Sequence, residues 1–206
     1  MSIAAHEFVN SENESLSSTI DRLVKESRFN RSDFTSPNCT LEIDERKYTV
    51  ESIERGNHPD LAHVQKLFID TFGEEEVDSE TVLRNAVDGI NQAGQKEEVQ
   101  YQVYVLKDST GKIASVLTGG LLDLRDENGR STGETVFMIA YAVTAKDARQ
   151  GGLAREMYIS ALIDTANKAD MEGKKLAFAA GECTFTSEKF WNKVGWKRAY
   201  IKKSSS

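Results

Sequence analysis

Residues 148–154, Ala-Arg-Gln-Gly-Gly-Leu-Ala, set Arg149 and a glycine pair directly before an apolar helical stripe. A loop that leaves a buried strand and opens a helix presents unpaired backbone N–H groups and the positive end of the helix dipole. That combination suits an anion, phosphate above all. Glycine at 151 and 152 leaves room for a phosphate against the backbone, and Arg149 adds a full charge at the rim. The same residues also suit a tight turn that needs positive φ, with Arg149 solvated, and composition does not separate the two readings. Spacing does exclude two other anion sites. No GxxxxGK[ST] occurs, and no GxGxxG follows an early strand, so ordinary nucleotide binding is disfavoured.

A second chemistry-bearing run is FGEEEVDSE, with Glu74, Glu75, Glu76 and Asp78. It would attract a cationic amine, or it is a solvated acidic loop that favours the start of the next helix. No metal site is expected. The two cysteines, Cys39 and Cys183, have no CxxC spacing, and His6, His58 and His63 are scattered without an HExxH pattern. A net charge of −7 argues against nucleic-acid and anionic-membrane partners and favours cationic or neutral ones. No apolar run reaches the ~18 residues of a membrane span, and Met1 to Asn10 lacks a basic region followed by an apolar one. A cytoplasmic protein is the expectation.

These residues need elements to position them. A chain of 206 residues with 39% hydrophobic composition can bury one full core, with an appended segment. Residues 1–38 read as an N-terminal extension: a frayed start, a short amphipathic helix over about 15–28, then a linker. Residues 39–206 read as the main domain. TLEI and KYTVESI alternate as a β-hairpin. Pro59 opens a helix carrying Leu61, Val64, Phe68 and Phe72 up to Gly73, and Asp78 and Ser79 cap a second that runs to Gly94. Val99 to Val105 and Ile113 to Leu124 form a strand hairpin, and ETVFMIAYAVT reads as a central strand buried on both faces. The stripe from Leu153 to Ala169 is a helix, and KKLAFAA a strand parallel to the one before it. A short helix over 187–194 and a last strand over 196–201 follow.

At this level the sequence resembles a known family. Arg149-Gln150-Gly151-Gly152-Leu153-Ala154 is similar to the R/Q-x-x-G-x-G/A pyrophosphate loop of the GCN5-related N-acetyltransferases, the GNAT superfamily. The loop follows a strand ending in Ala142-Val143-Thr144, as that family's fourth strand does, and FWNKVGW (residues 190–196) resembles its FYEKLGF segment. The resemblance spans roughly residues 47–201 and implies an α/β (α+β) fold, a mixed central sheet flanked by helices, here with an N-terminal helical extension.

It also implies an acetyl-CoA-dependent N-acetyltransferase acting on a primary amine, a small molecule or a peptide, by direct attack in a ternary complex. Ala142, Val143 and Thr144 would hold pantetheine, and residues 149–154 the pyrophosphate. One departure is spacing: Val143 to Gly152 is one residue longer than the common pattern, which a bulge or shifted strand end would absorb. An amine of pKa ~10.4 must lose a proton before attacking, and Glu182, at the C-terminal edge of its strand, is the first candidate base. Tyr141 is a candidate proton relay or a packing residue, and Cys183 a candidate nucleophile or an inert small residue. Trp191 stands where many members carry the tyrosine that protonates the leaving thiolate. Indole cannot donate in that way, although a thiol of pKa ~8.5 costs only about 2 kcal/mol to release near pH 7. A non-catalytic acyl-CoA-binding module is the alternative reading, and a different acyl donor a third. Phe185 and Trp191 would shape an apolar pocket or belong to the core. The family usually adds a final antiparallel strand that residues 202–206 cannot supply, so the N-terminal segment or a second subunit, as in a homodimer, is expected to cover that edge.

Overall fold

A computed structural model describes residues 6–10, 16–26, 39–43, 45–97, 99–149, 151–183 and 187–198. The elements in chain order are β1 (His6–Asn10), α1 (Leu16–Glu26), β2 (Thr40–Ile43), β3 (Arg46–Ile53), α2 (Asp60–Phe72), α3 (Glu80–Val87), β4 (Gln100–Asp108), β5 (Ile113–Arg125), β6 (Ser131–Thr144), α4 (Leu153–Met171), β7 (Lys175–Cys183), α5 (Glu188–Lys193) and β8 (Trp196–Arg198). The strands form one sheet in the order β2-β3-β4-β5-β6-β7-β1-β8. All neighbours are antiparallel except β6 and β7, which run parallel with α4 as their crossover. It is a mixed sheet flanked by helices.

Alternation along the strands splits the core in two. Tyr104, Leu106, Leu117 and Phe137 face α4, while Val103, Val105, Val116 and Val143 face α2 and α3. Helix α4 is buried nearly all round, with Leu153, Met157 to Ile163, Thr165 and Ala169 shielded. It lies on the sheet beneath α1, whose Ile20, Leu23 and Val24 join the same core. A second reason for that docking is polar: Arg155 Nη2 donates to Leu23 O at 3.4 Å.

Three expectations need correction. The start of the chain is not all frayed. Strand β1 pairs with β7 from His6↔Cys183 to Val9↔Ala180 and with β8 from Phe8↔Arg198 to Asn10↔Trp196. HEFVN does not alternate and has no hairpin partner beside it in the sequence, so long-range ladder pairing decides this strand. The N-terminal segment thereby covers the β7 edge. Helix α3 stops at Val87 rather than near Gly94, because Gly89 turns left-handed at φ 69° and the Asp88 carboxylate leaves to accept from Gly56 N at 2.7 Å. Ile90 instead bridges Lys96. Strand β6 is buried at Thr135 to Phe137 and at Ile139, with Met138 half-buried, while Ala140 is exposed and Tyr141 and Ala142 are half-buried.

Candidate active site

The half-covered end of β6 is where its two neighbours part. Pairing with β7 runs from Glu134↔Lys175 to Ile139↔Gly181 and goes no further along β6. On the other side the register with β5 slips, from Gly119↔Ile139 to Thr118↔Tyr141, so Ala140 is an extra residue. This bulge re-aims the strand after it. Glycines flank it on both sides for lack of room: a Cβ on Gly119 would sit 2.3 Å from Met138 O, and one on Gly181 would sit 2.8 Å from Ile139 O. Beyond this point β7 continues with β1, which pairs Glu7 with Glu182 and His6 with Cys183.

Strand geometry then decides which backbone groups face the gap. Ala145 N donates to Ala114 O at 2.9 Å, so residues 145, 143 and 141 turn their peptide groups toward β5. Val143 O is further engaged by Ser115 Oγ at 3.0 Å. Ala142 and Thr144 face the other way, into the space that β7 has left, and the Thr144 carbonyl there accepts Arg149 Nε at 3.1 Å. Arg149 is exposed and ties the loop back to its own strand end. The loop has a second tether in the ion pair between Asp147 and Lys112, which draws the Asp147 carboxyl below its ordinary range.

The loop delivers α4 with an open end. Gly152, its N-cap, has φ 78° and ψ 4°, a left-handed conformation, and no side chain caps the helix. The amides of Leu153 and Ala154 in the first turn have no carbonyl within the helix to bind. Of the two readings of the glycine pair, positive φ therefore applies to Gly152 but not to Gly151. A Cβ on Gly152 would meet nothing within 4 Å, so the space in front of it is open. An open strand edge leading to an uncapped helix end fits a pantetheine arm followed by a diphosphate, the first as an amide-rich extended chain and the second as an anion. Gln150 lies outside the described residues.

The side chains of Glu182 and Cys183 also lie outside the described residues, as does Phe185; only the strand positions of Glu182 and Cys183 are given. Tyr141 does pack, stacking on Phe68 with ring centroids 4.7 Å apart. Its hydroxyl donates to Glu76 O at 3.4 Å. Burial and the Asp78 charge push the phenol above its ordinary pKa, so it stays a proton donor at neutral pH. Trp191 is not beside an open site. It is 5% exposed, with Trp196 at 4.4 Å and Tyr158 edge-on at 5.7 Å, because its turn of α5 faces the α4 core. Glu74, Glu75 and Glu76 form an exposed 3-10 turn, and of the acidic run only Asp78 lines the cleft between α2, α3 and β6.

Gln65 in that cleft gives no signal in the sequence, since a glutamine inside an amphipathic helix reads as a solvent-facing residue. It is 7% exposed, and its Nε2 donates to Asp78 O at 2.5 Å. Glu51, His58 and Asp60 also converge, but Lys107 Nζ sits 2.6 Å from both carboxylates and supplies the cation there.

No protein-family model matches the sequence, and no curated protein does. Solved structures do. One similar structure is an aminoglycoside acetyltransferase from an uncultured soil metagenomic sample in complex with sisomicin (TM-score 0.54, 11% identity, 77% of this chain and 95% of that one). A predicted acetyltransferase from Clostridium acetobutylicum with acetyl-CoA is similar at TM-score 0.54 and 9% identity over 77% of this chain and 96% of that one. An acetyltransferase of Trypanosoma brucei aligns at TM-score 0.51 and 19% identity, covering 77% and 98%. The fold is that of the GNAT superfamily. Within a GNAT fold, the parted strands β6 and β7, the bulge at Ala140 and the Gly152 helix start occupy one continuous stretch of the sheet's end. Among the described residues, no helix is long and apolar enough to cross a membrane.

Proposed function

We propose that the protein is an acetyl-CoA-dependent N-acetyltransferase that acetylates a primary amine by direct attack in a ternary complex. The observation that carries this reading is the continuity of the open β6 edge with the uncapped α4 terminus. Backbone groups of Ala142 and Thr144 hold the pantetheine arm. The amides of residues 151–154 hold the diphosphate, and Arg149 braces the loop and adds positive charge at its rim. Val143 contributes through its buried side chain rather than its backbone, which β5 engages. Acetyl-CoA supplies the activated acyl group; the protein supplies orientation and proton transfer.

Glu182, on β7 across the gap from β6, is the proposed base. It takes the ammonium proton, the amine nitrogen bonds to the thioester carbonyl carbon, and the carbon–sulfur bond breaks to leave a thiolate. Tyr141, held protonated, is the proposed relay to the thiolate, which requires its hydroxyl to leave Glu76 O. Cys183 as an acylated nucleophile is the less economical route, since it adds a step that a ternary complex does not need. Titrating coenzyme A by calorimetry and following thiol release from acetyl-CoA over an amine panel test the reading. Transfer by direct attack predicts that Glu182→Gln lowers kcat/KM by roughly 10² and removes the acidic limb of the pH–rate profile. An unchanged profile in a folded variant assigns the base elsewhere. One observation favours a second reading, a non-catalytic acyl-CoA-binding module: the residue at the family's tyrosine position, Trp191, is core. Tight coenzyme binding with no thiol release from any amine would establish it.

A further inference from the structure

We infer that the cleft between α2, α3 and β6 is the acceptor site and takes a compact monoamine with an apolar body, its ammonium held by Gln65 Oε1 and the Asp78 carboxylate. This rests on the acyl-transfer reading above. The Gln65 amide has only one orientation available, because its neighbour at 2.5 Å is the Asp78 carbonyl, which can only accept. Oε1 is therefore the other atom of the pair, buried and without a hydrogen-bond partner. A buried acceptor left unmade is costly, and such a group in a cleft marks where a donor belongs.

The other polar groups of the cleft agree in sign. In the ligand-free protein Tyr101 gives its proton to Thr118 Oγ1 at 3.0 Å and Tyr141 gives its own to Glu76 O, so neither phenol offers a proton to the incoming amine. Among the described residues, no Lys or Arg lines the cleft. The ligand must bring the donors, and a primary ammonium brings three. One carboxylate on the wall matches one charge. Phe68, Val77, Val82 and Leu83 supply the apolar remainder. The enclosed space is about 40 Å³, enough for an ammonium and a short stem and far below a drug-sized site, so a polycationic sugar is disfavoured. Tyr141 is both a wall of this cleft and part of the β6 stretch beyond the bulge, which sets the amine beside the open edge.

Calorimetry of the coenzyme A-saturated protein with isopentylamine, 2-phenylethylamine, spermidine and sisomicin tests the inference without requiring turnover. The two monoamines should bind best. Gln65→Met, of equal length but without the acceptor, and Asp78→Asn should each weaken them about tenfold or more, with coenzyme A affinity unchanged. Should Gln65→Met not fold, Asp78→Asn carries the same readout, since it keeps the backbone carbonyl that orients Gln65. Wild-type monoamine affinity in both folded variants, no monoamine binding at all, or binding of the polycations alone overturns the proposal. The two readings fail separately. Monoamine binding that the variants lose, with no thiol release from acetyl-CoA, overturns transfer and keeps the site; thiol release with amines that ignore both substitutions keeps transfer and overturns the site.

Discussion

Gly152 carries two demands at once, a left-handed backbone and an unobstructed front. At φ 78° an alanine is strained although nothing touches its Cβ, and the expected cost is about 1 kcal/mol. Gly152→Ala should thus lower Tm slightly and leave coenzyme A binding measurable. Gly152→Asp adds a carboxylate where the diphosphate is proposed to sit, and calorimetry should find binding abolished at similar stability. Equal affinity in the two variants would separate the glycine from the anion. The helix start at the glycine pair was legible in the sequence because a turn's chemistry is local. Gln65 was not, since what distinguishes it is an orphan oxygen created by the fold. Trp191 could be aligned by motif but not aimed, because the direction of a side chain on α5 depends on how that helix packs on α4.

At the scale of elements, periodicity located the helices and most strands, and it failed where pairing over long distances decides. Gly119, Gly120 and Gly181 did carry a signal, since glycine inside a strand run points to a bulge or a close approach, and at 119 and 181 it marks the place where β6 is re-aimed. Strand β1 carried none. Yet β1 joins β8 to the sheet and shields the β7 edge that bears Glu182. Removing residues 1–10 should leave β8 without its sheet partner and β7 with bare N–H and C=O groups. Losing four residue pairs with β7 and three with β8 costs about 2 kcal/mol or more, a fall in Tm of at least roughly 4–8 °C for a chain this size. Light scattering should also show association, because an open edge pairs with another chain. A truncated protein that melts as the full chain does and stays monomeric would show that β1 adds nothing to the sheet.

At the scale of the whole molecule, the sheet divides two cores, with a half-buried tyrosine on one side of it and two buried ones on the other. Tyr101 lies on the α2 and α3 face, with its pKa pushed up to about 12 by burial. Tyr104 and Tyr158 lie on the α4 face. Burial raises Tyr104 well above its ordinary value, and the Asp164 carboxylate that accepts its proton at 2.7 Å raises it further. Burial likewise raises Tyr158, even though Trp196 Nε1 donates to its oxygen at 2.6 Å. Below pH 10 these phenols are protonated whether the chain is folded or not, and they give stability no pH dependence. Above pH 10 the unfolded chain releases the protons and the folded protein keeps them, so the folded state binds more protons and stability falls as pH rises. Each tyrosine contributes a slope of about 1.4 kcal/mol per pH unit, so three together remove roughly 4 kcal/mol per unit, against a typical total stability of 5–15 kcal/mol. The expected outcome is that these three of the six tyrosines stay un-ionised at pH 10–11 and then ionise in a single cooperative step that coincides with loss of circular dichroism. Ultraviolet titration of phenolate read beside the dichroism checks it. Smooth ionisation of all six near pH 10 with the fold intact would mean that the two cores admit water to these hydroxyls.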